Sequence, residues 1–292
     1  MKTKNQRISK QKTVGILGYG EIGKTIAQIC LDAGFKILIK DLTIDQFKNQ
    51  KIDYLHINIP EISNQKFIKS AVDCINDVSP LLSIINSSVT PGTTRKIFEK
   101  TANPIIHSSV IGIHPNLYDS VKYYFPKIIG PINKQSLFLA KKHFHDLQFK
   151  IEIYDNSDNS EAAKLLDLIY YAWNLIYCKS VSNICQNLNL NFDQVYTKHN
   201  KIYNQGYGKI LPNVIRPIFI PMKGPITGHC TIPDTILFHK YLPTSLTKFI
   251  LNENKKYYKE TGDLKKQRQE FIEIRNKLIN DLRITKNNKK NK

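Results

Sequence analysis

The chain has 292 residues, 41% hydrophobic and 10% aromatic, with a formal net charge of +19. That composition supplies a sizeable core and excludes a disordered chain; no apolar run reaches the roughly 18 residues of a membrane span, and the basic N-terminus lacks the apolar stretch of a signal peptide. Ten of the basic residues lie in residues 1–12 and 283–292, which hold no acid, so the body carries +9. The pattern reads as solvated disordered tails rather than a nucleic-acid-binding face, and the excess also suits an acidic substrate. Cys30, Cys74, Cys178, Cys185 and Cys230 show no paired spacing, which suits the reducing cytoplasm and predicts neither a disulfide framework nor a metal site.

In chain order, Val14–Leu17 reads as a buried strand, Glu21–Ala33 as a helix ended by Gly34, and Lys36–Lys40 as a second strand closed by Asp41. Tyr54–Ile59, closed by Pro60, and Ser83–Ser87 are the third and fourth strands. Ile105–His107, Lys127–Ile129 and Lys150–Tyr154 are further strands, and Lys134–Leu147 is a helix. The alternation predicts an α/β fold: an N-terminal Rossmann doubly wound parallel sheet over residues 13–157. A polar linker follows at Asp155–Ser160. The rest, 158–282, reads as mostly helical: Glu161 to about Leu188, Phe192–Tyr203 with Asn191 as N-cap, a proline-rich loop over Pro212–Pro233, and a charged helix over Lys255–Leu282.

Gly18-Tyr19-Gly20-Glu21-Ile22-Gly23 stands between the first strand and the first helix. Its three glycines permit a tight turn, close approach of backbone to a pyrophosphate, and tight helix packing, while the helix N-terminus favours an anion. Asp41, 23 positions after Gly18, stands where a carboxylate accepts the adenosine ribose hydroxyls. The expected cofactor is NAD; Lys40 beside Asp41 leaves room for NADP. Pro60, Ser87 and Thr90, at the ends of the next strands, are expected to line the same crevice. Ser87-Ser88-Val89-Thr90-Pro91-Gly92-Thr93-Thr94 also reads as an ordinary turn before a capped helix. Downstream, Gly228-His229-Cys230-Thr231-Ile232-Pro233-Asp234 presents either an activated thiol or an inert one.

In combination, the glycine loop, Ser87–Thr93, Glu161-Ala-Ala-Lys164-Leu165 and Gly228–Asp234 resemble, in that order, the UDP-glucose/GDP-mannose dehydrogenase family over about residues 13–240. The resemblance implies oxidation of an alcohol of a sugar nucleotide to the acid with two NAD. It makes Cys230 the nucleophile of a thioester route, Lys164 the stabiliser of oxyanions, Asp234 the carboxylate assisting water, and Ser88 the hydroxyl where the family has threonine. It also implies a homodimer built on the long helix.

Three departures stand beside it. Asn116 replaces the family's acid after proline, Leu168 replaces an asparagine four residues past the lysine, and nothing after Asp234 reads as the family's second Rossmann-like, nucleotide-binding domain. Gly112–Leu117, Tyr203–Tyr207 and Arg216 are further candidates for substrate contact. The rivals are a one-step alcohol dehydrogenase with a structural Cys230, a non-catalytic NAD sensor or scaffold, and, last, a nucleic-acid binder.

Overall fold

The computed structural model describes residues 11–113, 116–228 and 230–260. The chain divides into two compact units, one up to Asp167 and the other from Leu168. The expected boundary at 157/158 and this division fall in the same helix, Ser157–Asn187.

The first unit is built on a sheet of order β3-β2-β1-β4-β5-β6-β7-β8. Its centre is β1 (Thr13–Leu17), β4 (Tyr54–Ile57), β5 (Leu82–Ile85) and β6 (Ile105–His107), every residue of which is buried. Runs this apolar, interrupted only by Thr13, His56, Ser83 and His107, suit strands covered on both faces. These strands and β2 (Lys36–Asp41) run parallel, with Val14 opposite Ile37 on one side and Tyr54 on the other.

Two cores lie on the two faces. Val14, Ile16, Tyr54 and Ile84 pack with Ile26 and Ile29 of α1 (Glu21–Asp32) and Phe144 of α5 (Lys134–Asp146). Leu55, Ile57 and Ile85 pack with Phe67 and Ile75 of α2 (Asn64–Val78) and Ile97 of α3 (Thr93–Thr101). Neighbouring residues Tyr54 and Leu55 thus serve opposite cores, as the period of two dictates.

The doubly wound sheet expected from sequence is present, with one added strand and one correction to its parallel order. β3 (Ile44–Asp45) returns antiparallel on β2 and is too short to read from sequence. β7 (Lys127–Pro131) runs antiparallel to β6, and β8 (Ile151–Ile153) parallel to β7. Among its described residues, the link from β6 to β7 holds the short α4 (Leu117–Asp119) and a π-helical turn, Ser120–Tyr124, and brings the chain back in the opposite sense.

The second unit is helical. It takes the rest of α6 (Ser157–Asn187), a π-helical turn (Asp193–Lys198) leading into α7 (His199–Ile210), α8 (Thr231–Tyr241) and α9 (Ser245–Lys256). Asn191 caps as expected, accepting from Gln194 N at 3.1 Å. The proline-rich stretch differs from the loop expected up to Pro233: Pro233 lies in the first turn of α8, where a missing N–H costs no hydrogen bond. The expected helix from Lys255 is also corrected within the described residues: α9 ends at Lys256, and Tyr257–Glu260 is a 3-10 turn. The remainder of that helix, and all but Gln11 and Lys12 of the expected tails, lie outside the described residues. No helix among the described residues is long and apolar enough to cross a membrane.

Candidate active site

Each glycine of the β1–α1 turn has its own geometric reason. Gly18 has φ +87°, a left-handed conformation that favours glycine, and a Cβ there would lie 2.9 Å from the Asn58 carbonyl carbon. A Cβ on Gly20 would meet nothing within 4 Å, so this side of the loop is open. A Cβ on Gly23 would sit 2.0 Å from the Gly18 carbonyl oxygen, with Ile16 of the sheet next at 3.4 Å. The tightest constraint on the third glycine is therefore the loop itself.

Gly20 is the N-cap of α1 and brings no side-chain cap to it. The first N–H groups of α1, at the positive end of the helix dipole, form a donor set shaped for a phosphate.

Asp41, at the end of β2, faces this loop. Its Oδ2 accepts the Tyr19 N–H and its Oδ1 accepts the Leu42 N–H at 2.6 Å. These two bonds hold its carboxyl below the usual carboxylate range. It is an anion with a lone pair still available on each oxygen. Lys40 is committed elsewhere, 3.0 Å from Asp45. The residues present therefore fit a dinucleotide: an open glycine face, an uncapped helix start and an ionised acceptor at the next strand end.

The segment after β5 is held by buried carboxylates that sequence reading missed. Glu61 accepts from Thr90 N at 3.0 Å and from Thr90 Oγ1 at 2.9 Å; Asn64 donates to Thr90 Oγ1 at 2.9 Å. Thr90, expected at the cofactor, here serves the geometry of its own loop. Ser87 donates to the Ile59 carbonyl at 2.6 Å and so ties the end of β5 to the segment leading into exposed Pro60; Ser88 beside it is half-buried. Gly92, at φ +88°, starts α3, and its N–H donates to Glu161 at 2.6 Å. Thr94 gives Glu161 both its N–H, at 2.8 Å, and its hydroxyl, at 2.5 Å. Burial pushes the Glu161 carboxyl up to about 7 against these three donors.

One turn along α6, Lys164 donates to the Val110 carbonyl at 3.0 Å. The Glu161-x-x-Lys164 spacing thus places two side chains on one side of the helix. One grips the loop after β5 and the other the loop after β6. His107 joins the same region: its Nε2–H donates to the Ser87 carbonyl at 3.2 Å and its Nδ1 faces Ser160 at 2.8 Å. Burial lowers its pKa to about 3, so it is a neutral strut.

In the second unit, Cys230 is the N-cap of α8 and is exposed. Asp234 is buried one turn on, its N–H donating to the Cys230 carbonyl at 2.8 Å. The loop before them is pinned at points not legible in sequence. Buried Lys179 of α6 donates to the carbonyls of Met222 and, at 2.7 Å, Gly224. Asn254 of α9 accepts from Ile226 N at 2.6 Å. Arg216 lies over the Tyr203 ring at 3.5 Å, and Tyr203 stacks on Tyr207 at 4.4 Å. Asn116 caps α4, its carbonyl accepting from Ser120 N at 3.1 Å. His114, Pro115 and His229 lie outside the described residues.

The structure thus brings the glycine loop and Asp41 together. In the same unit it sets Ser87, Ser88 and Thr90 on the loop after β5 and reaches the loop after β6 with Lys164 from α6. Cys230 and Asp234 form a pair in the other unit.

No protein-family model matches the chain, and no curated protein does. Solved structures do. The UDP-D-ManNAc dehydrogenase of Pyrococcus horikoshii has a TM-score of 0.68 at 16% identity, covering 84% of this chain and 68% of that one. The UDP-glucose dehydrogenase of Pyrobaculum islandicum gives 0.68 at 14%, covering 85% and 69%. The 3-hydroxyisobutyrate dehydrogenase of Mycobacterium tuberculosis gives 0.61 at 15%, covering 87% of this chain and 96% of that one. At these identities the likeness is one of fold: the chain has the fold of nucleotide-sugar and hydroxyacid dehydrogenases.

Proposed function

We propose that the protein is an NAD-dependent dehydrogenase acting on a CH–OH group of a polar, anionic metabolite, a sugar nucleotide being the leading class. The observation that carries this reading is the pairing of the Gly18–Gly23 turn with Asp41. NAD, when bound, would supply the hydride acceptor for the alcohol carbon. The N–H groups of α1 would hold its pyrophosphate and the free lone pairs of Asp41 its adenosine ribose.

Lys164 is assigned the stabilisation of oxyanion charge, and Ser88 a hydroxyl at the reacting end. Cys230 is assigned the second step. An aldehyde has no alcohol proton to lose, so the thiolate adds to the carbonyl carbon to give a thiohemiacetal. Loss of hydride then gives a thioester, and water, assisted by Asp234, releases the acid and restores the thiol. In sum, one alcohol, two NAD and one water yield one carboxylate, two NADH and three protons.

A second reading, a single oxidation with a structural Cys230, is favoured by Asn116 in place of an acid and by the near full-length overlap with a hydroxyacid dehydrogenase fold. The two part in one assay: NADH formed per substrate consumed, over sugar nucleotides, sugar phosphates and hydroxy acids, for the wild type and Cys230→Ser. The leading reading expects two NADH, with the mutant's second equivalent lost. One NADH, unchanged by the mutation, establishes the single oxidation. Tight NAD binding without turnover on any substrate would move the function to a cofactor-binding sensor or scaffold.

We further propose a homodimer through α6. Tyr170, Trp173, Tyr177 and Ile184 are all exposed and recur on one face of this helix.

A further inference from the structure

The α1/α5 side of the sheet encloses a polar group that the dehydrogenase chemistry does not use. Cys30 of α1, His56 of β4 and His143 of α5 are at most 1% exposed, and one donor atom of each lies within 4.8 Å of the others. The two imidazoles meet nitrogen to nitrogen, Nε2 to Nε2, at 2.9 Å. Around them the core is apolar and aromatic. Tyr54 stacks on His143 at 4.0 Å between centroids, and Phe35 meets its edge at 5.6 Å.

As a metal-free core this arrangement is poorly satisfied. Burial keeps both histidines neutral, so each has one N–H, and only one proton fits between the facing nitrogens. His143 Nδ1 has no hydrogen-bond partner among the described residues. An ion between the facing nitrogens would replace the shared proton and engage both Nε2 lone pairs, while the Nδ1–H of His143 stays as it is.

We propose that Cys30, His56 and His143 form a buried site for a soft d10 cation, and that the cation is Cu(I). Three observations select it. The donor set is one sulfur and two imidazole nitrogens, the soft to borderline set that favours Cu(I) or Zn(II) over Mg(II) or Ca(II). It offers three ligands in a dry pocket, whereas Zn(II) takes four. Charge decides between the two. Thiolate, two neutral imidazoles and Cu(I) sum to zero, whereas Zn(II) leaves a net positive charge. That charge would face the side chain of Lys127, which is itself buried, donates to the Ser108 carbonyl at 2.8 Å, and has its pKa already pulled down to about 7 by its burial.

The geometry is close to closing. Bonds of about 2.0 Å to nitrogen and about 2.3 Å to sulfur place ligand atoms roughly 3.3–3.6 Å apart around one ion. The histidine pair must open by about half an ångström, and the Cys30 sulfur, within 4.8 Å of both nitrogens, must settle at about 3.6 Å from them. His56 Nδ1 stands 3.0 Å from the Asn86 side-chain amide. The same amide nitrogen donates to Asn58 Oδ1 at 3.0 Å, so ligation through Nε2, which puts the ring proton on Nδ1, requires Asn86 and Asn58 to rearrange with it.

The test is Cu(I) uptake by purified, reduced protein in competition with a colorimetric Cu(I) chelator. It is run in a Cys230→Ser background to remove the exposed thiol, with a parallel Zn(II) titration. The proposal expects one equivalent of Cu(I), weakened at least tenfold in Cys30→Ala and in His143→Phe. The latter fits the Tyr54–Phe35–Phe144 surroundings, and folding of both is checked by near-UV circular dichroism. No Cu(I) uptake by folded wild type, or uptake unchanged in Cys30→Ala, overturns the site. Zn(II) uptake lost in the same variants without Cu(I) uptake overturns the choice of ion. None of these readouts depends on the dehydrogenase reading.

Discussion

Asp41 illustrates how one side chain can serve two purposes. Its carboxylate accepts the Tyr19 N–H and so fixes the glycine loop against the end of β2. The same oxygens retain the lone pairs that the proposed function gives to a ribose. Removing the carboxylate removes both the acceptor and the loop's anchor. Hydrogen bonds to charged groups contribute about 1.5–3 kcal/mol, so Asp41→Ala is expected to weaken NAD binding by roughly ten- to a hundredfold. It should also narrow the preference over NADP, whose 2′-phosphate the carboxylate repels. Fluorescence titration with both cofactors checks this, and an unchanged NAD affinity would sink the ribose assignment. At this scale the sequence was informative where the reason was local. The three glycines and Asp41 could be read because their constraints lie within a turn or at the adjacent strand end. Glu61 and Glu161 could not, because the N–H groups they receive lie 29 residues away for Glu61 and 67 and 69 away for Glu161.

Between elements, the decisive contact is Glu161 on the start of α3. A helix start preceded by glycine has no side-chain cap of its own, and here the acceptor comes from α6. Glu161→Gln replaces one acceptor oxygen by a donor facing donors. We expect a loss of about 1–3 kcal/mol of stability at neutral pH, read by urea denaturation. The pH dependence has a defined sign. Burial raises the Glu161 carboxyl in the fold to about 7, above its value in the unfolded chain. The folded state therefore binds the extra proton in the window between them. The contribution is present at acid pH and is lost as the pH rises toward and through about 7. The gap in stability between wild type and Glu161→Gln should then be larger near pH 5 than near pH 8; a gap that widens with pH would refute the shift. The same scale separates what sequence could and could not show. The central strands were legible because burial on both faces leaves short, mostly apolar runs. α8 was not, because Pro233 falls in its first turn and Thr235-Ile-Leu-Phe238 has no helical period. β3, with two residues, carries no pattern at all.

At the scale of the whole molecule, α6 is the one element shared by both units, and its sequence explains why it is expected to do more than connect them. Its 31 residues bury Leu165, Ile169, Ala172 and Ile176 on one side, a spacing of four, three and four that marks an inward stripe. Tyr170, Trp173 and Tyr177 repeat the same spacing on an outward face. Aromatic side chains left in water at helical period are costly, so the outward stripe implies a covering surface. In a two-fold dimer the same stripe meets its own copy, each residue facing the partner's equivalent patch. A carboxylate placed there meets another carboxylate in a desolvated interface, at a cost of several kcal/mol. The wild type is accordingly expected to run as a dimer in light scattering across a concentration series, and Tyr170→Glu with Tyr177→Glu as a folded monomer. If the wild type is monomeric throughout, or the double variant stays dimeric, α6 is not the dimer's seam. In that case the aromatic face must be covered by something other than a second copy.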